Sequence, residues 1–360
     1  MEGNLDKGYL VRWYKAMKER NTAEVEDLKK SIEASKDQDT DPELQKFYQL
    51  LLVRYYLMGK DFGKIASALA DVEPIEDDAG HWLNYFYYFF RGIYHYDQEQ
   101  YRIAIEYYLK AEPLIDKVEF PEEAAELFYK MAAAYHRVYA ITTSIGYARK
   151  ALVFFKKQPH YVRCAHCENL LALNNHDIEQ YKQAEMHYHN ALIYAAKCED
   201  NDLKMYISHN FGLLYSKQNR PKKALYYLME VFESIHSEKY QLRARNFFLL
   251  AENYFKIDQI AEAKRMLEQG VSLTKEHGIQ DFYYRCDLLK AKFVEPLRFE
   301  EAYKEGISYY NDHERWEYVV EYSEELAAFY RGKEEYQQSS DYFYLAMIAR
   351  NKILEEREKL

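Results

Sequence analysis

Two sets of side chains in this 360-residue sequence have the types and spacing to do chemistry. The first is Cys164-Ala165-His166-Cys167, a C-x-x-C pair with His187 and His189 further along the chain. A structural zinc site needs four ligands converging tetrahedrally, usually from two such pairs in turns or knuckles. Here a single pair stands in a helically patterned stretch with no glycine nearby, so a partly buried helix face is expected and no metal is assigned. The second set is amide, imidazole and carboxylate: Asn174, Asn175, Asp177, His209, Asn210, Glu252 and Asp287. An asparagine amide both donates and accepts, so it can hold a peptide backbone without reading its sequence. A carboxylate beside it can pair with a basic side chain of the same peptide. The candidate peptide-binding residues are Asn174, Asp177, Asn210, Glu252 and Asp287. No G-x-x-x-x-G-K, G-x-G-x-x-G, H-E-x-x-H or G-x-S-x-G occurs, which leaves nucleotide, metalloprotease and hydrolase chemistry without an anchor.

These polar residues act together only if the chain brings them to one face. Glycine and proline number 12 and 7, so turns are scarce and long helices are favoured over collagen-like, disordered or all-β readings. Lining up the small residue that opens every second helix gives Ala104, Ser144, Ala184, Ala224, Ala263, Ala302 and Ser339, at spacings of 40, 40, 40, 39, 39 and 37 residues. A small residue there lets two helices approach closely, and the residues four and seven later complete one buried stripe. This is the pattern of tetratricopeptide-type helical hairpins, with first-helix partners such as Gly212 and Tyr215, or Ala251 and Tyr254. Seven hairpins over about residues 82–355 are expected to stack into a right-handed superhelical solenoid, the sixth departing most from the pattern. In such a stack the candidate residues fall on consecutive first helices, the side that binds extended peptides.

The N-terminal part does not follow this period. Leu10, Trp13, Tyr14 and Met17 form an i, i+3, i+4, i+7 stripe, and Asn21 with Glu24 has the spacing of a capping box. Asp41-Pro42-Glu43 supplies an N-cap, a proline at the first helical position and an acid in the first turn of a third helix reaching about Met58. The chain therefore reads as an all-α protein: a three-helix bundle over 1–70, a linker over 71–81 and a repeat domain over 82–360.

Lys plus Arg is 49 against 59 for Asp plus Glu, a formal charge of −10 that disfavours nucleic acid and suits a basic or neutral partner. No run approaches the roughly 18 apolar residues of a membrane helix, and the first residues lack a secretory core, so a soluble cytoplasmic protein is expected. Four cysteines are too few for a disulfide scaffold, consistent with a reducing compartment. The 38 tyrosines admit two explanations, a recognition surface or polar-tipped helix packing. The run Tyr85 to Phe90 lacks the basic interleaving of a base-stacking groove and reads as core.

Several blocks carry a family resemblance: Trp13-Tyr14, Phe47-Tyr48-Gln49-Leu50 continuing to Arg54 and Leu57-Met58, Phe89-Phe90-Arg91-Gly92-Ile93-Tyr94 with Asp97 to Tyr101, Phe128-Tyr129-Lys130-Met131, and Leu173-Asn174-Asn175-His176-Asp177. Over nearly the whole chain the sequence resembles the Rap-type proteins of Bacillus-like bacteria, response regulator aspartate phosphatases and related regulators controlled by secreted Phr-type peptides. The resemblance implies an N-terminal bundle that contacts a bacterial response regulator and repeats that bind a penta- or hexapeptide. It implies peptide-holding roles for Asp177 and Asn210, with Asn174 as a third position. It also implies a catalytic glutamine between helices two and three, whose amide orients water toward a phospho-aspartate while the regulator brings its own Mg²⁺. Asp37-Gln38-Asp39 has the matching letters, although a gapless alignment on Phe47-Tyr48 puts Pro42 or Glu43 there, and a short insertion restores Gln38. Two modes stay open: dephosphorylation of the regulator through Gln38, and non-catalytic blocking of a regulator's DNA-binding domain. A peptide-sensing transcription factor is disfavoured, because residues 7–58 show no basic recognition face. A generic repeat scaffold without a peptide ligand is the remaining alternative.

Overall fold

The structure, a computed structural model, describes residues 6–35, 41–72, 74, 81–118, 120–158, 160–236 and 238–358. Among them are eighteen α-helices and no strand, so the all-α expectation holds. None of these helices is long and apolar enough to cross a membrane. The chain forms two compact units, residues 1–158 and 159–360.

The first unit opens with α1 (Lys7–Glu19), α2 (Thr22–Ala34), α3 (Pro42–Gly59) and α4 (Phe62–Ala70). The expected stripe is the inner face of α1: Leu10, Trp13 and Met17 are fully buried and Tyr14 nearly so. Asn21 caps α2 as its spacing implied, Oδ1 accepting from the Glu24 amide, while the Glu24 carboxylate takes Asn21 Nδ2 and the Asn21 backbone amide donates to Ala16. Asp41 caps α3 through the Glu43 amide at 3.1 Å. The short α4, capped by Asp61, adds a fourth helix that the sequence reading left unassigned, and Ile65 and Leu69 pin it to the same core. Of the expected linker, residues 71, 72, 74 and 81 are described.

The unit continues with two hairpins, α5 (His81–Asp97) with α6 (Tyr101–Ala111) and α7 (Glu122–Arg137) with α8 (Ile141–Lys157). The aromatic run on α5 is core as expected: Tyr85, Phe86 and Phe90 are fully buried, and Phe86 packs 5.4 Å from Tyr14 and 5.5 Å from Phe47 between ring centroids. One core therefore joins the N-terminal helices to the first hairpins.

The second unit holds five hairpins: α9 (Tyr161–Asp177) with α10 (Tyr181–Lys197), α11 (Asn201–Lys217) with α12 (Pro221–Ser234), α13 (Tyr240–Phe255) with α14 (Ile260–Glu276), α15 (Gln280–Phe293) with α16 (Phe299–Asp312), and α17 (Trp316–Gly332) with α18 (Tyr336–Glu358). All seven small residues used to set the repeat lie on the second helices, and Ala104, Ser144, Ala184, Ala224 and Ala263 have no exposed surface. The close approach they permit is measurable at Gly212, where an added Cβ would stand 2.6 Å from Leu228. In the sixth hairpin the large and small partners exchange helices. Leu288 on α15 fills the space against Gly306 on α16, four residues after Ala302, just as Leu228 stands four after Ala224.

The scarcity of glycine is reconciled at the hairpin turns. Glu99, Tyr139, Glu179, Asn219, Asp258 and Glu334, each five residues before the small residue, take left-handed φ between 54° and 64°. Each turn closes with the paired amide bonds of a Schellman motif, such as Glu179 N to His176 O at 3.0 Å and Gln180 N to Asn175 O at 2.8 Å. The sixth hairpin lacks this turn and uses a 3-10 segment at Pro296–Arg298, because proline fixes φ and donates no amide hydrogen. Tyrosine serves packing: Tyr188, Tyr215, Tyr303 and Tyr310 are buried, and hydroxyls reach carboxylates on neighbouring helices, as Tyr330 does to Glu300 at 2.8 Å.

Candidate functional site

The candidate residues fall on the first helices of the second unit: Asn174 and Asp177 on α9, Asn210 on α11, Glu252 on α13 and Asp287 on α15. Adjacent members of this row, α9 with α11, α11 with α13 and α13 with α15, touch directly, so residues at matched heights meet. Counting back from the turn sets the register. Asn169, His209 and Phe248 each lie ten residues before Glu179, Asn219 and Asp258. In the sixth hairpin Leu288 takes the place of Gly212, so Arg285 is the counterpart of His209.

Near this level two separate polar contacts join neighbouring first helices. Asn210 Nδ2 donates to Asn169 Oδ1 at 3.2 Å, which bridges α9 and α11. His209 Nδ1 lies 3.4 Å from Asn246 Oδ1, and Asn246 Nδ2 donates to the Leu228 carbonyl at 3.0 Å. Burial holds the His209 imidazole down at about 4 from its usual 6.5, with the Arg245 charge acting in the same direction and the Asn246 contact opposing. A second polar layer lies nearer the turns. Ser216 donates to Glu252 at 3.1 Å and receives from Asn253 Nδ2 at 2.9 Å, while Lys256 pairs with Glu252 at 3.1 Å. His176, one residue before Asp177, is pushed down to about 4 by burial and then by Lys217.

The candidates differ in what they can offer. Asn210 is half-buried with its amide poised between two helices, and Asp177 is exposed at the last position of α9. Asn174 is fully buried and donates back to the Leu170 carbonyl at 2.9 Å. Asp287 faces Arg298 in a two-pronged ion pair, each contact 3.3 Å, and Glu252 is held by Ser216 and Lys256. Asn169, Asn246 and Arg285 were missed by the sequence reading. The ten-residue offset from the turn finds Asn169, but nothing in the sequence marks a non-glycine turn residue as the origin of the count.

The cysteine pair lies on the inner side of α9, with Cys164 1% and Cys167 0% exposed. His187 turns to Glu168, 2.6 Å away, and His189 packs edge-on against Phe211. Gln38 lies outside the described residues.

In the first unit the notable polar site is Glu123 on α7, fully buried. It accepts from Tyr14 at 2.8 Å and Lys18 at 2.6 Å, both on α1, with Tyr85 of α5 at 3.3 Å. Burial raises its carboxyl above the ordinary range, opposed by Lys18 and Tyr14.

Comparison with known proteins agrees with this architecture. Residues 8–60 match the family model described as response regulator aspartate phosphatase H, N terminal. The chain is 27% identical over 329 residues to response regulator aspartate phosphatase A of Bacillus subtilis, covering 88% of this chain and 87% of that protein. It is 26% identical over 347 residues to the transcriptional activator NprA of Geobacillus stearothermophilus, covering 94% and 86%. Its fold matches a crystal structure of a Rap protein complexed with competence and sporulation factor, with a TM-score of 0.78 at 22% identity over 97% of this chain and 98% of that one. With the N-terminal helices matched by the family model and a 27% identical relative running along most of the repeats, the chain is similar to the Rap family over nearly its whole length.

Proposed function

We propose that this chain is a cytoplasmic, peptide-gated regulator of two-component signalling. Its N-terminal helices bind a bacterial response regulator and either dephosphorylate its phospho-aspartate or sequester it. Its repeats bind a short secreted signalling peptide that relieves this action. The observation that carries the reading is the amide row on touching first helices, centred on the Asn210–Asn169 contact, with the exposed carboxylate of Asp177 on the adjoining α9. Backbone amides of an extended peptide fit such a row, and Asp177 suits a basic side chain. Similarity to response regulator aspartate phosphatase A and to a Rap protein solved with a peptide factor supports both partners.

In this proposal catalysis needs one group from the chain, Gln38, to orient water, and the regulator supplies Mg²⁺. The chain carries no cofactor of its own, and neither nucleic acid nor membrane is a partner. Peptide and regulator antagonise each other reciprocally, as linkage requires. Similarity to the activator NprA favours a second reading, a non-catalytic peptide-sensing repeat protein acting on a transcription factor.

The test is the lifetime of a panel of phosphorylated response regulators with this protein and with Gln38→Ala. A shortened lifetime abolished by the substitution establishes the phosphatase. An unchanged lifetime together with regulator capture in a pull-down establishes the sequestering mode. Absence of both overturns the proposal.

A further inference from the structure

The guanidinium of Arg285 on α15 sits among aromatic walls with no carboxylate in direct contact, Glu321 of α17 attracting it from beyond ion-pair distance. Its centre lies 4.0 Å from the Phe248 ring of α13, 5.2 Å from Phe282 and 5.1 Å from Tyr318 of α17. Its Nε is buried with no hydrogen-bond partner, Nη1 has a long contact, 3.5 Å to the Tyr318 hydroxyl, and the Tyr322 hydroxyl also acts on the guanidinium. No carboxylate among the described residues lies within ion-pair distance of it. Arg298, Arg315 and Arg350 in the same unit have one, in Asp287, Asp281 and Glu324, while Arg245, Arg265 and Arg331, which also have none, are exposed where Arg285 is not.

A buried unpaired charge is costly, and aromatic faces offset only part of that cost. Such a residue is kept more readily where an anion completes it during function. Arg285 is half-buried, and it occupies on α15 the register of Asn169 on α9, His209 on α11 and Phe248 on α13. It therefore stands at the level of Asn169 and His209, three first helices from α9, where Asp177 lies eight residues nearer the turn.

We propose that Arg285 is the carboxylate-binding end of the peptide groove, taking a carboxylate of the bound peptide in a two-pronged guanidinium contact. This rests on the peptide-binding reading above and adds a direction to it, the basic part of the peptide toward Asp177 and its acidic end toward α15. Three first-helix steps of about 8–10 Å suit an extended hexapeptide at about 3.4 Å per residue, with the flanking side chains making up the rest. A planar guanidinium between rings matches a carboxylate better than an ammonium would.

The probe is a set of pentapeptide and hexapeptide pools, each with arginine fixed at one position and mixed residues elsewhere. They are made as C-terminal free acids, as C-terminal amides, and as amides ending in glutamate. Retention by the full chain is measured by affinity capture and mass spectrometry, beside Arg285→Gln and Arg285→Lys. The expected result is at least tenfold better retention of free acids than amides by the unaltered chain. That difference disappears in Arg285→Gln and survives in part in Arg285→Lys. Retention of glutamate-ending amides at the free-acid level, again lost in Arg285→Gln, supports the same subsite with the carboxylate from a side chain. Retention indifferent to amidation and to the glutamate overturns the subsite while leaving the peptide reading intact. Retention of no pool by the unaltered chain overturns both. The comparison of acid with amide uses the unaltered chain, so a folding defect in a variant cannot mimic the outcome.

Discussion

Lys18 Nζ lies 2.6 Å from Glu123 Oε1 across 105 residues of sequence, and this ion pair fastens the first helix of the bundle to the second hairpin of the repeats. Glu123 has no exposed surface, and Tyr14 completes the cradle from the same face of α1. The N-terminal helices are thus held to the first two hairpins by this buried ion pair as well as by the shared aromatic core.

Lys18→Met leaves that carboxylate without its cation and is expected to destabilise the first unit by about 3–5 kcal/mol. Lys18→Met with Glu123→Gln recovers most of the loss, since a neutral amide still accepts from Tyr14. The deficit of the single variant shrinks as pH falls, because a protonated Glu123 needs no cation. Urea unfolding at pH 7 and pH 5 checks all three; equal deficits for the single and double variants would contradict the pairing.

Gly212→Ala should cost about 1–3 kcal/mol, because its Cβ would stand 2.6 Å from Leu228, a buried side chain with nowhere to move. Gly146→Ala, where nothing lies within 4 Å, is the control and is expected to be neutral or slightly stabilising. Thermal unfolding midpoints of the two variants provide the comparison.

His209 makes stability pH-dependent in a defined direction. Above pH 6.5 the ring is neutral in both folded and unfolded chains. Between about 6.5 and 4 the unfolded chain takes up a proton that the folded chain, with its imidazole at about 4, refuses, so stability is lost as pH drops through that window. The full contribution is about 3 kcal/mol. His209→Gln should remove up to one proton from the slope of unfolding free energy over that window, measured by denaturant titration at stepped pH.

Glu179 holds φ at 58° in an exposed turn, a conformation that penalises any residue with a Cβ. Glu179→Gly is expected to stabilise the α9–α10 hairpin by about 0.5–1 kcal/mol, and a lowered unfolding midpoint would refute the strain argument.

Asn210→Ala and Asp177→Ala should each weaken retention of the arginine-fixed peptide pools by tenfold or more while leaving the helical circular dichroism unchanged. Asp287→Asn should leave peptide retention nearly unaltered, since its carboxylate already faces Arg298. Loss of binding on Asp287→Asn alone would place the groove elsewhere.

Repetition made most of the fold legible in advance. Small residues at a period near 40 must sit where two helices touch, because only they allow that approach, and hydrophobic spacing of 3.6 then assigns each helix its inner face. The caps at Asn21 and Asp41 were equally local and equally readable. What the sequence could not decide was pairing between side chains far apart in the chain. Asn210 meets Asn169, Lys18 meets Glu123, and Asp287 is taken by Arg298 while Arg285, two residues before it, has no carboxylate in direct contact. Those outcomes depend on the register between packed helices, set in six hairpins by turns whose left-handed residue is not glycine and in the sixth of the seven by the segment Pro296–Arg298. A hydrophobic pattern specifies which face is buried, but only close packing in three dimensions determines which polar groups are left to bind something else.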